Sequence, residues 1–354
     1  MDLIESYDFT NVIVPYREVL EKFEKYKNIN KDISYLFENI GYTKLAKKIE
    51  SCHNSINLLR FPYSYGASTE FSCGSRFCSL CEKKKSNKRR RKYLDALGVV
   101  HHIYGVDNLD YIHIMLSIDN SHYKDLKSNT DKMFKALSSL VKTIRDHTKR
   151  DSGLFKNIIG GFRSFEIVLE KVPNPLKSQK ENDRYQKYWL NMDKERQDKV
   201  SKGEYLNGHF HIVLVVKKEY FENPINNTGY DMESIDNIWQ YHLNKVGYFQ
   251  ENRPRCWINR AYANKKNGNG SLPSAFLEAT KYTTKSLEYK PFLNNPDVFR
   301  YLNMTLKGLR THSSFGLIKE YLNPLEAKKF NESDIEYTKT FIFNKSMYEF
   351  LYRQ

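Results

Sequence analysis

Two histidines separated by a single residue, His209 and His211, stand in the run GHFHIVLVV. Side chains alternate along a strand, so both imidazoles project from one face with Cα atoms about 7 Å apart and can share one cation. Phe210, Ile212 and Leu214 take the other face, and the apolar run that follows marks a central strand and therefore rigid ligands. Taken alone, such a pair reads as satisfied core histidines. A second segment, FRSFEIVLE at 162–170, adds carboxylates: Phe165, Ile167 and Leu169 alternate with Glu166, Val168 and Glu170. A carboxylate facing the histidines from a neighbouring strand makes a two-His-one-carboxylate set with open positions, suited to Mg2+ or Mn2+. The residues themselves do not rank Glu166 over Glu170 as that third ligand.

A tyrosine is the next reactive group. Pro273 and Ser274 open the segment SAFLEATKYTTK, with Ser274 as N-cap. On the helix that follows, Glu278, Tyr282 and Lys285 fall along one face. A phenol is mostly protonated at neutral pH and needs a base, a cation or a polarised phosphate to act as a nucleophile. Lys285 can lower its pKa or hold a non-bridging oxygen. In a chain with 26 tyrosines, a helix-borne tyrosine is by itself usually structural.

Cysteines carry a third chemistry. Cys73, Cys78 and Cys81 are spaced C-x4-C-x2-C, with Cys52 and His53 upstream. Four thiolates (Cys52, Cys73, Cys78 and Cys81), or three with an imidazole, complete the tetrahedral shell of Zn2+. Ordinary reduced cysteines are the plainer alternative, disulfides being unusual in a cytosolic chain. Four of the five cysteines within thirty residues favour a structural zinc, while Cys256 stands apart as a packing residue. Directly after Cys81 comes a basic run: Lys83, Lys84, Lys85, Lys88, Arg89, Arg90, Arg91 and Lys92. On a helix these charges circle the axis and bind phosphate backbones without reading sequence, unless they are simply a solvated charge run.

The whole chain is basic too, with 57 Lys and Arg against 42 Asp and Glu, a net charge of +15 over 354 residues. A polyanion is the usual partner for such an excess. No stretch approaches the roughly 18 to 20 apolar residues that span a bilayer. Asp2, Glu5 and Asp8 argue against a secretory signal, so a cytoplasmic protein with no membrane partner is expected.

Elements must position these groups. Three- and four-residue apolar steps predict helices at Val19–Tyr26 and Ile33–Ile49, at Asn129–Thr148 and at Asp236–Lys245. Strands are expected at 111–118, 162–170, 209–216 and 256–262. The stretch 171–207 is polar and highly charged, as an exposed insertion would be. The implied domains are a helical segment at 1–50, a zinc module with its basic helix at 51–95, a catalytic domain at 96–290 and an extension at 291–354.

Taken in order, FSCGSRFCSLCEKKKSNKRR, FRSFEIVL, GHFHIVLVV and EATKYTTK resemble the replication initiators of rolling-circle plasmids, within the HUH endonucleases. The likeness runs from about Cys73 to Leu322, with weaker echoes in IWQYHL and GLRTHSSFGLIKEYL. It implies an α+β fold, a central antiparallel sheet flanked by helices, with a zinc-binding module and helical extensions. It implies that His209, His211 and Glu166 hold the catalytic Mg2+ or Mn2+, that Tyr282 is the nucleophile, and that Glu278 activates water to end the cycle, as in the single-tyrosine branch. The activity implied is binding and nicking of a plasmid's double-strand origin, leaving a 5′-phosphotyrosyl link and a 3′-OH primer. Implied partners are origin DNA, double-stranded and extruded single-stranded, and a host helicase and polymerase; a homodimer is left open. The chain departs from the family pattern where HIMLSID replaces a threonine-rich strand, where Ser79 follows Cys78 in place of proline, and in the long spacer before His209. Two rivals remain at this level: a relaxase or transposase with the same chemistry, and a zinc-dependent nucleic-acid-binding regulator without activity.

Overall fold

The computed structural model describes residues 3–4, 16–61, 64–69, 71–150, 155–170, 172, 186, 189–220, 232–250, 256–260, 289, 292–322, 337–344 and 349–352. The chain divides into two compact units. One comprises Met1–Arg91, Ser286–Pro296 and Pro324–Gln354; the other comprises Lys92–Lys285 and Asp297–Asn323.

In the first unit, α1 (Tyr16–Asn39) and α2 (Thr43–Glu50) replace the two helices expected there. The predicted Ile33–Ile49 helix is broken at Gly41, which takes φ +85°, while Tyr42 N–H donates back to Phe37 O at 2.8 Å. A left-handed residue closing a helix favours glycine, so the sequence carries this stop signal inside an otherwise continuous apolar period. Leu36, Phe37 and Ile40 of α1 and Ala46 and Ile49 of α2 are buried, and Ser34 Oγ bonds Ala46 O. A five-stranded antiparallel sheet completes the unit, in the order β1 (Leu3–Ile4), β3 (Ser64–Thr69), β2 (Ser55–Phe61), β10 (Tyr337–Asn344), β11 (Glu349–Tyr352).

The second unit is built on antiparallel strands in the order β8 (Trp257–Arg260), β4 (Leu109–Ser117), β7 (Tyr205–Lys217), β6 (Ile158–Leu169), β9 (His312–Gly316). The short β5 (Ser121–His122) also pairs with β7. Alternation gives the central strand β7 two faces. On one, Phe210 meets Phe165 and Phe134, the latter on α4 (Leu126–Arg150), and Trp239 on α6 (Met232–Lys245). On the other face, Val213 and Val215 pack with Tyr111, Phe162 and the buried residues Tyr93, Leu97 and Val100 of α3 (Ser79–Tyr104). Burying each of these large side chains is worth about 1.5–3 kcal/mol. Gly161 is required by closeness: a Cβ there would lie 2.4 Å from Val213 O on β7. The α+β architecture with an antiparallel sheet flanked by helices is thus as expected.

The expected domain boundaries are redistributed. Residues 1–50 share one unit with the cysteine-bearing segment, and 291–354 is divided. Its β9 and α7 (Pro296–Leu306) join the second unit, and its β10 and β11 the first. Strand pairing ignores distance along the chain, so β10 bonds β2 from Tyr337↔Arg60 to Ile342↔Ser55. The charged stretch 171–207 also ends in regular structure: α5 (Lys194–Ser201), N-capped by Asp193, carries buried Val200 and leads into β7.

Candidate metal centres

β6 and β7 pair without interruption from Gly160 to Leu169, and that register sets Glu166 opposite His209 and Ser164 opposite His211. All three candidate ligands therefore leave the same face. Glu166 Oε2 lies 3.3 Å from His209 Nε2 and 3.3 Å from His211 Nε2, and the two imidazoles are 7% and 5% exposed. Donors about 2.1 Å from one octahedral cation are separated by about 3 Å along a cis edge, so this spacing fits a hard divalent ion. One carboxylate and two neutral imidazoles also match the donor chemistry. Glu170 is not in this group: its side chain is buried 3.5 Å from Arg196 Nη2.

Further side chains hold the histidines. His209 Nδ1 is 3.2 Å from Asn207 Oδ1, whose amide nitrogen donates to Ile118 O at 2.8 Å. His211 Nδ1 is 3.1 Å from His113 Nε2, the two rings stacked at 5.3 Å with Trp257 edge-on to His113. Burial, reinforced by His211, lowers the pKa of His113 to about 4.

The cysteines form a second cluster, in the first unit. Cys52 Sγ lies 3.5 Å and Cys73 Sγ 3.6 Å from Cys81 Sγ, and ligand atoms of Cys52, His53, Cys78 and Cys81 all fall within 4.8 Å of one another. Sulfurs 2.3 Å from a tetrahedral zinc stand about 3.8 Å apart, whereas a disulfide needs about 2.05 Å. All five cysteines are free, so the spacing is that of a thiol cage. Hydrogen bonds with Cys52 hold the Cys81 and Cys73 thiols low, while contact with Cys73 pushes Cys52 up. His53 sits at φ 59° with Nδ1 2.7 Å from Cys52 Sγ, and its buried Nε2 has no hydrogen-bond partner among the described residues. Burial lowers the His53 pKa to about 4.

Helix α1 supports this cage. Asn30 Nδ2 donates to Cys78 Sγ at 3.2 Å, and Asn30 Oδ1 accepts from Ser79 N–H at 2.9 Å. Lys27, 3% exposed, places its ammonium on Glu50 O, Cys52 O and Asn54 Oδ1. A buried cation beside thiols is costly unless anions lie near, and ionised sulfurs around a metal supply them.

The basic run lies on α3. Lys83, Lys85, Lys88, Arg91 and Lys92 are exposed, whereas Ser86 and Tyr93, one heptad apart, form a buried seam. The charges do circle most of the axis. Arg89 is tied back to Glu82 and Lys85 to Gly74 O. Glu278, Tyr282 and Lys285 lie outside the described residues.

Residues 67–348 match a family described as replication protein. The chain belongs to this family. A "Protein rep" of Lactiplantibacillus plantarum is 25% identical over 84% of this chain and 83% of its own length. A "Protein rep" of Lentilactobacillus hilgardii is 26% identical over 72% of this chain and 66% of its own. No solved structure matches. The resemblance to rolling-circle plasmid replication initiators is borne out, and the chain is a plasmid replication initiator. Among the described residues, no helix is long and apolar enough to cross a membrane.

Sequence reasoning on this replication protein missed the residues around the ligands. Asn207 had a signal, because it lies two residues before His209 and so on the same strand face. His113 had none: its contact depends on the β4–β7 register, which sets His113 opposite Val213 and Met115 opposite His211. Lys27 and Asn30 fall between the two helices expected there, a gap that α1 spans.

Proposed function

We propose that this replication initiator nicks origin DNA by metal-dependent tyrosine transesterification. The observation that supports this most is the convergence of His209 and His211 on Glu166, each at 3.3 Å, from adjacent strands. These three would hold a divalent cation, Mg2+ or Mn2+ by their donor set, and a cation there supplies Lewis-acid polarisation of the scissile phosphate. The chain's own residues do the rest. Tyr282 would attack phosphorus with its phenol oxygen, forming the P–O bond to the tyrosine as the P–O3′ bond breaks. The phenol proton passes to a base and the leaving oxygen is protonated, which leaves a 3′-OH for a polymerase to extend. Glu278 would act as general base for the water that ends the cycle, and Lys285 would hold a non-bridging oxygen or favour the phenolate. One phosphoester replaces another, so the step needs no ATP.

The thiol cluster would hold a structural Zn2+ through Cys52, Cys73, Cys78 and Cys81, with His53 beside it. The exposed lysines and arginines of α3 would bind phosphates of the double-strand origin. Incubation with a supercoiled plasmid carrying its own origin tests the reading. An open-circular product that needs Mn2+ and disappears with His211→Ala supports it. A nick that survives the substitution excludes this metal centre, and no nick at all favours a binding protein without activity.

A further inference from the structure

Each histidine of the Glu166 centre has its second ring nitrogen engaged by a side chain outside the ligand set. Asn207 decides the first case. Its amide nitrogen is committed to Ile118 O at 2.8 Å, so its oxygen is the atom 3.2 Å from His209 Nδ1. An amide oxygen only accepts, and Nδ1 of His209 must carry the proton. A neutral imidazole then keeps its lone pair on Nε2, the atom 3.3 Å from Glu166. In the second case His211 Nδ1 faces His113 Nε2 at 3.1 Å. Were His113 the donor, the proton of neutral His211 would sit on Nε2 and block ligation. With His113 as acceptor, the proton of His211 sits on Nδ1 and the Nε2 lone pair points toward the Glu166 side, where a cation would bind. The His113 ring is itself fixed, stacked on His211 at 22° and closed on another side by the Trp257 edge.

We propose that His113 and Asn207 are positioning residues of the metal centre, holding His211 and His209 in the Nδ1-protonated tautomer and ring orientation that present Nε2 to a divalent cation. This rests on the metal-centre reading above. Partners of this kind raise ligand basicity and restrict ring rotation, and their loss weakens metal binding about 10–100-fold. The two legs are independent, since Asn207 lies on the histidine strand and His113 on its neighbour β4.

The test is Mn2+ binding to the full chain loaded with a single equivalent of Zn2+, which the softer thiol cluster takes in preference to the His–carboxylate set, and it is read from the electron paramagnetic resonance signal of free Mn2+. His113→Phe keeps a ring between His211 and Trp257 but removes the acceptor, and Asn207→Ala removes the other. Each should weaken Mn2+ binding by about tenfold or more, and His113→Gln and Asn207→Asp, which retain an acceptor oxygen, should recover part of the loss. Circular dichroism establishes that each variant is folded; should one fail to fold, the other leg decides. The doubly substituted His209→Ala, His211→Ala protein separates the two levels. If it loses Mn2+ while His113→Phe and Asn207→Ala bind as the wild type does, the positioning role is wrong and the metal centre stands. If it binds Mn2+ like wild type, the metal-centre reading itself falls. Weakening in one leg alone overturns the role of the other residue.

Discussion

Lys27→Met is the substitution that bears most directly on the thiol cluster. Methionine keeps the length and most of the volume of the lysine stem at a position 3% exposed, and removes only the ammonium. Glu50 O, Cys52 O and Asn54 Oδ1 then lose their donor, and the contact with the Phe343 ring, 4.9 Å from Nζ, loses its charge. A buried acceptor left without a donor costs about 1–3 kcal/mol and a part-buried one less, so buried Cys52 O with part-buried Glu50 O and Asn54 Oδ1 gives a loss of roughly 3 kcal/mol. At about 3 °C per kcal/mol, the melting temperature falls by about 10 °C. If the cluster holds zinc through thiolates as proposed, the ammonium on Cys52 O would offset part of their charge, and the variant should surrender zinc faster to a chelator. Calorimetry, hydrogen exchange over residues 16–50 and zinc retention in a chelator competition read the three effects. A melt within about 1 °C of wild type, with unchanged zinc retention, would refute the view that Lys27 compensates an anionic cage.

Glu166→Gln should reduce Mn2+-dependent nicking at least about a hundredfold while origin binding, measured by electrophoretic mobility, stays within about twofold; equal activity would place the third ligand elsewhere. Gly161→Ala drives a Cβ to 2.4 Å from Val213 O, which should cost about 1–3 kcal/mol in denaturant unfolding as β6 is pushed from β7. Stripping zinc with a strong chelator should raise hydrogen exchange across 16–61 and leave β7 protected; uniform protection throughout would show that the cage needs no metal.

The two chemical centres differed in how far the chain alone revealed them. His209 and His211 were legible because period-two alternation fixes their shared face, and the apolar run after them fixes a central strand. Choosing Glu166 over Glu170 was not, since alternation sets both on one face of the expected strand 162–170, whereas β6 ends at Leu169 and its register with β7 brings only Glu166 opposite His209. The thiol cage was legible from spacing, but its support was not. Lys27 and Asn30 reach it across a helix packing that no local pattern encodes, and His53 takes a left-handed backbone that is uncommon for a histidine. The sheet of the first unit was missed because β2 (SINLLRF) carries adjacent buried leucines, Leu58 and Leu59, in place of a clean alternation. Its partner β10 also lies far away in sequence.

If Tyr282 is the nucleophile proposed, served by the Glu166, His209 and His211 centre, it becomes covalently joined to DNA. Incubating the protein with Mn2+ and a supercoiled plasmid bearing its origin, digesting the DNA, and identifying the nucleotide-bearing tryptic peptide by mass spectrometry tests it directly. The expected product is a peptide carrying the 5′ nucleotide on Tyr282, absent from the Tyr282→Phe and His211→Ala proteins. A nick without an adduct, or an adduct on a different residue, contradicts the assignment.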